Sequence, residues 1–203
     1  MDSPLGQVED IFFDDSATID QETGERHTGT AVVLLEAEGY EILIMKRLPM
    51  HYLAQAAKLI SLIEALHMSQ GCHVTIYSDS AYVTTTVHAG LLRWKRRGYR
   101  RVDGSTVQHA ALLDTLIFAL SQPSLVPVVK CAAHTNNTDE ISLGSDAADA
   151  MAKMAAYLPV PTPAAYIVTT PPNNQQNTPY TAVHFAHLIE LQSKRQMKKR
   201  DYG

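Results

Sequence analysis

The sequence predicts an α/β domain built on a five-stranded mixed sheet, three antiparallel strands then two parallel, flanked by helices. Three observations carry this. Between residues 11 and 47, short β-branched or aromatic runs alternate with polar turns, as in a meander. From Tyr52 the apolar period changes to that of helices. Two later runs, Val74 to Tyr77 and Val126 to Cys131, are again short and β-rich, with helical pattern between them.

The chain has 203 residues and 45% apolar side chains, which fits one cored domain of roughly 150 residues plus a tail. Cys72 and Cys131 adjoin strand-like runs, which predicts free, buried thiols and an intracellular setting, with a disulfide left open. No signal peptide is visible, no apolar run is long enough to span a bilayer, and no membrane partner is expected. The net charge of -4 hides two basic runs, one from Arg93 to Arg101 and one from Lys194 to Arg200. They predict either a local polyanion contact or two solvated faces.

Residues 1–10 are polar and expected to be flexible. Ile11, Phe12 and Phe13 read as a short strand ending at Asp14 and Asp15. A turn accounts for these two carboxylates, and so does a metal site. Asp20 to His27 is a polar loop, and Thr30 to Glu36 and Tyr40 to Arg47 are the next two strands. Tyr52 to Met68 is a helix with Ala56, Leu59, Leu62, Ile63 and Leu66 on one face, ending at Gln70-Gly71.

The strand Val74 to Tyr77 leads into Asp79. Ser78 or Asp79 is a candidate cap for the next helix, and Asp79 is also placed where ligands bind, at the carboxyl end of a strand. That helix runs to about His88, followed by the basic run with the sole tryptophan, Trp94. Val107 to Leu120 is a helix with Leu112, Leu113, Leu116, Ile117 and Leu120 inward, and Val126 to Cys131 is the fifth strand. Ala132 to Leu143 is a polar loop carrying His134, Asn136 and Asn137. Gly144-Ser145 opens the last helix, to about Tyr157, with Asp146 and Asp149 in its first turns. Residues 158–180 form a Pro/Thr/Asn-rich linker, and residues 181–203 a basic amphipathic helix or tail.

Asp14, Asp79 and Asp149 are the candidate site. Clustered carboxylates repel unless a hard cation neutralises them. Two magnesium ions held there would activate water and stabilise a leaving oxygen on a phosphodiester.

Five segments carry a resemblance: Phe13-Asp14-Asp15-Ser16, Tyr77-Ser78-Asp79-Ser80-Ala81-Tyr82, Leu92-Arg93-Trp94-Lys95-Arg96-Arg97-Gly98-Tyr99, Cys131-Ala132-Ala133-His134 and Gly144-Ser145-Asp146-Ala147-Ala148-Asp149. In this order, over residues 11–157, the chain resembles the ribonuclease H family, specifically the domain that follows reverse transcriptase in retroviral polyproteins. The resemblance implies a retroelement-derived or domesticated chain. It implies Asp14, Asp79 and Asp149 as ligands of Mg2+ or Mn2+, and His134 as a mobile loop histidine that assists proton transfer or product release. It implies that Ser16, Arg93, Trp94, Lys95, Arg96, Arg97, Arg100 and Arg101 grip an RNA–DNA hybrid or duplex. Trp94 reads equally as an anchor for the basic protrusion.

Two departures stand out. Lys58 occupies the position of the family's catalytic glutamate, and Asp15 that of a glycine. A lysine there repels magnesium and is expected to pair with Asp14 or Asp79. Glu64 lies roughly 240° around the same helix and cannot readily substitute. Asp15 adds negative charge beside the phosphates and removes a permissive backbone position.

The expectation is a ribonuclease H-like domain that binds nucleic acid with weakened or lost cleavage. The alternatives are an active magnesium-dependent hybrid ribonuclease, with Asp15 or Asp146 filling the gap, and a protein-interaction domain without nucleic-acid contact. The cofactor is Mg2+ or Mn2+ if active, or none. The expected location is cytoplasm or nucleus, or the virion within a viral polyprotein. His184 and His187 lack a companion Cys-x-x-Cys, so no zinc is assigned.

Overall fold

A computed structural model of the chain describes residues 8–37, 39–133 and 138–159. His134, the predicted linker from residue 160 onward and the predicted C-terminal helix lie outside the described residues. The described strands are β1 (Glu9–Ile19), β2 (Arg26–Glu36), β3 (Gly39–Leu48), β4 (Val74–Ser78) and β5 (Val128–Lys130). They form one sheet in the order β3-β2-β1-β4-β5. β1, β2 and β3 are antiparallel neighbours, while β4 pairs parallel with β1 and β5 parallel with β4. This is the mixed sheet that the sequence predicts.

Side chains alternate across a strand, so β1 shows how the layers are built. Phe12 stacks on Tyr77 of β4, with ring centroids 4.8 Å apart. It belongs to a core cluster with Val33, Ala147 and Ala148, the last two on helix α5 (Glu140–Ala155). The other face meets helix α1 (Ala54–Met68), where the Thr30 and Ser61 hydroxyls hydrogen-bond at 2.5 Å. Ala57 and Ile60 of α1 pack with Leu48, and the partly buried Leu112 of helix α4 (Ala110–Ala119) joins them.

Several boundaries move. β1 extends well past Phe13, so Asp14 and Asp15 lie in mid-strand, paired with Ala31 and Thr30 of β2. The turn reading of these two carboxylates is therefore wrong. Backbone pairing to β2 continues through them, and β-hairpin closure is left to Asp20, whose carboxylate accepts from the Glu22 and Thr23 amides. α5 starts before Gly144 because Asp139 caps it, accepting from the Ser142 amide at 2.9 Å. Gly144 is needed inside the helix for a different reason. A Cβ there would lie 2.5 Å from Cδ2 and 2.6 Å from Cζ of the Phe12 ring. Asp146 and Asp149 consequently sit in mid-helix. Both thiols are free, but only Cys131 is buried, and Cys72 is half-buried.

The chain between Asp79 and the basic run is a continuous helical rod, not a short helix and a loop. It consists of α2 (Ala81–Thr85), a π-helical turn (Thr86–Gly90) and α3 (Leu91–Arg96). Ser80 caps it, accepting from the Val83 amide, so neither Ser78 nor Asp79 is the cap.

Candidate functional site

Pairing places the first two carboxylates side by side. The β1–β4 register matches Phe12 with Tyr77. Two residues further along the same face come Asp14 on β1 and Asp79 just past β4. Asp14 lies largely out of water, and Asp79 repels it. Burial, with that repulsion second, pushes the Asp14 carboxyl up to about 7. Asp149, half-buried, comes from α5, which covers this face. Its carboxylate accepts from Lys153 at 2.6 Å, one turn along. That hydrogen bond, and then the charges of Asp149, Asp14 and Asp146, hold the exposed ammonium above the ordinary lysine pKa. Asp146 is exposed.

Asp15 points to the opposite face, towards α1. There Lys58 Nζ donates to Asp15 Oδ1 at 2.7 Å, and the Asp15 side chain is 3% exposed against 29% for Lys58. Burial raises the Asp15 carboxyl, and Lys58 pulls it back. Burial likewise works against the Lys58 ammonium, but Asp15, Asp14 and Asp79 together outweigh it and hold its pKa above the ordinary value. Lys58 is thus a cation in contact with Asp15 and within the field of Asp14 and Asp79. The expected pairing to Asp14 or Asp79 is corrected to Asp15, because strand alternation turns Asp14 away from α1. Asp15 also sits in ordinary extended strand, so the lost glycine removes no required conformation. Glu64 is engaged elsewhere, with Lys46 at 2.5 Å.

Cys131 lies at the edge of this site. Its thiol contacts the Ser145 hydroxyl at 3.8 Å, and burial, with Asp79 and Asp14 adding to it, keeps the thiol protonated. The sequence reading did not place Cys131 or Lys153 here. The Asp149 and Lys153 spacing of four residues on a helix was the available signal for the second. Ser16, on the Asp14 face, is buried and pairs with Gly29 of β2.

The donor set does not fit two divalent cations. The Lys58 ammonium is seated on Asp15, the β1 neighbour of Asp14, where its charge is felt by Asp14 and Asp79, and Lys153 holds Asp149. Among the described residues, no three carboxylate, imidazole or thiol side chains converge enough to hold a metal ion.

The raised acid also bears on stability. An acid whose pKa rises on folding destabilises the fold as pH climbs from its unfolded to its folded value. Asp14→Asn should therefore be neutral near pH 4 and stabilise increasingly up to pH 7, by on the order of 4 kcal/mol. Urea melts of both proteins across that range check this, and a pH-independent difference would contradict it.

The basic run is organised by α3 and a hairpin after it. Trp94 folds back over Gly90, where a Cβ would lie 2.7 Å from the indole ring. It is half-buried, an anchor for the protrusion. Lys95 pairs with Asp114 of α4 at 3.5 Å, and the Tyr99 hydroxyl donates to the same carboxylate at 2.9 Å. Arg100 Nη1 donates to the Gly104 carbonyl across the tight turn. Arg93, Arg96, Arg97 and Arg101 are exposed, and no described carboxylate forms an ion pair with Arg93, Arg96 or Arg97.

A mixed sheet with acidic side chains on two neighbouring parallel strands and on the helix that covers them defines a ribonuclease H-like α/β domain. The chain belongs to the RNase H family, whose profile matches residues 7–157. Enzymes of that family are generally Mg2+-dependent. Among curated relatives, the Gag-Pol polyprotein of avian reticuloendotheliosis virus is 32% identical over 163 residues, 80% of this chain and 14% of that one. The chain thus spans a small fraction of that viral relative. The solution structure of the PFV RNase H domain superposes with TM-score 0.61 at 20% identity, covering 76% of this chain and 98% of that domain. A foamy viral protease-reverse transcriptase in complex with RNA/DNA hybrid gives TM-score 0.60 at 19% identity, over 74% of this chain and 20% of that one. At these identities the structural likeness is one of fold.

Proposed function

We propose that this chain is a retroviral-type RNase H domain that binds an RNA–DNA hybrid or duplex and cleaves it weakly or not at all. The observation that carries the reading is the Lys58–Asp15 ion pair beside Asp14 and Asp79. Two-metal phosphodiester cleavage needs both cations to stabilise developing charge, and a resident ammonium opposes their entry. Asp14, Asp79 and Asp149 are the carboxylates an active relative would use, with His134 assisting proton transfer or product release. Binding draws on different residues. Arg93, Arg96, Arg97 and Arg101 form an exposed basic edge suited to a phosphate backbone, with Arg100 and Lys95 bracing it and Trp94 holding its shape. The likeness to a hybrid-bound reverse transcriptase supports the choice of ligand.

The test is a titration of the full chain with a labelled hybrid, beside a cleavage assay in Mg2+ and in Mn2+. Binding should weaken with salt. Arg96→Ala or Arg97→Ala should each flatten the log–log salt slope by about 1, the change expected when one phosphate is no longer neutralised. Robust cleavage that vanishes in Asp79→Asn would restore the active-enzyme reading. Absence of salt-dependent binding would favour a protein-interaction domain.

A further inference from the structure

We infer that Lys58 and Lys153 are built-in counter-ions, and that the carboxylate cluster of this chain balances its charge with ammonium groups in place of divalent metal. The inference deepens the proposed function and rests on it for the identity of the site. The two lysines approach from opposite layers. Lys58 comes from α1 and donates to Asp15, with its charge felt by Asp14. Lys153 comes from α5 and donates to Asp149, and Asp14 in turn acts on it. Asp15 and Asp149 thus each pair with a lysine from the helix on their own side of the sheet.

Chemistry separates the two kinds of cation. An ammonium carries one charge, offers three donors and needs acceptors at hydrogen-bond distance. A divalent ion needs several oxygens converging on a point at about 2.0–2.6 Å. A pair held at 2.7 Å, and a second at 2.6 Å, satisfy the first requirement. The second pair also diverts an Asp149 oxygen from a divalent ion. The substitution is a coupled one, since Asp15 supplies the partner that keeps Lys58 in place. Reversing Lys58 alone to glutamate would set a carboxylate against the buried Asp15.

The test is Mn2+ binding by the full chain without nucleic acid, read by paramagnetic relaxation of water protons and by thermal melting in chelator against millimolar Mn2+. The parent should show no saturable binding and an unchanged melting temperature. Lys58→Gln should gain Mn2+ binding at least about tenfold tighter than the parent, with a melting temperature that rises with metal. Should that variant fail to fold in chelator, Asp15→Asn/Lys58→Gln removes both charges of the pair and should gain metal binding as well. Saturable micromolar binding by the parent overturns the inference, as does a folded double variant with no gain. A parent that binds Mn2+ but does not cut sinks this inference and leaves the functional reading standing. A parent that ignores both metal and hybrid does the reverse.

Discussion

Lys58→Met should lower the free energy of unfolding by about 3 kcal/mol at pH 7, and adding Asp15→Asn should recover most of the deficit. The asymmetry of the pair sets the size. Asp15 has almost no contact with water and Lys58 has some. Removing the lysine leaves a carboxylate with neither solvent nor counter-ion, and breaking a buried pair this way costs about 3–5 kcal/mol, less here because Lys58 is partly wet. Asparagine at position 15 removes the stranded charge. A double-mutant cycle in urea measures the coupling. Additive effects of the two substitutions would show that the pair is merely adjacent.

Gly29→Ala should cost about 3 kcal/mol or more, enough to leave the chain largely insoluble or molten. A Cβ at this position would run into the backbone of Ala152 and Ala156 and come within 2.8 Å of the Ala155 carbonyl carbon. Overpacking against a side chain can be relieved by a rotamer change. Here the obstacle is helix backbone, so α5 itself must lift from β2. Because α5 carries Asp149, the same displacement would open the site. Circular dichroism melts and a folding screen check this. A soluble Gly29→Ala protein with an unchanged melting temperature would refute the close approach.

The fold was legible because its signals are local. The switch from period 2 to period 3.6 at Tyr52 and the β-rich run ending near Asp79 each reflect one element and its burial. The start of α5 is less plain, because Gly144-Ser145 looks like a helix opening, although Asp139 three residues before Ser142 is an ordinary capping signal. Gly144 is there for the Phe12 ring, a contact between residues far apart in the chain. The site divides in the same way. Asp14, Asp79 and Asp149 were readable as acids near strand ends or on a helix. The Lys58–Asp15 partnership was not, since it depends on which face of β1 each acid takes. The parity was available all the same: Phe12, Asp14 and Ser16 share a face, and Phe13 and Asp15 share the other. Truncating β1 at Phe13 hid it.

The π turn between α2 and α3 sets the aim of the basic edge. One residue added to an α-helical path rotates everything beyond it by about 100° around the rod. His88 Nε2 contacts the Val128 carbonyl at 3.0 Å, and Gly90 closes the turn under the Trp94 ring, so the extra residue is pinned between β5 and the protrusion. The compass bearing of Arg93, Arg96 and Arg97 therefore depends on that turn keeping its width. If the same residues tightened to α-helical spacing, every arginine and its charge would remain, yet the whole battery would swing by about 100° to another quarter of the domain.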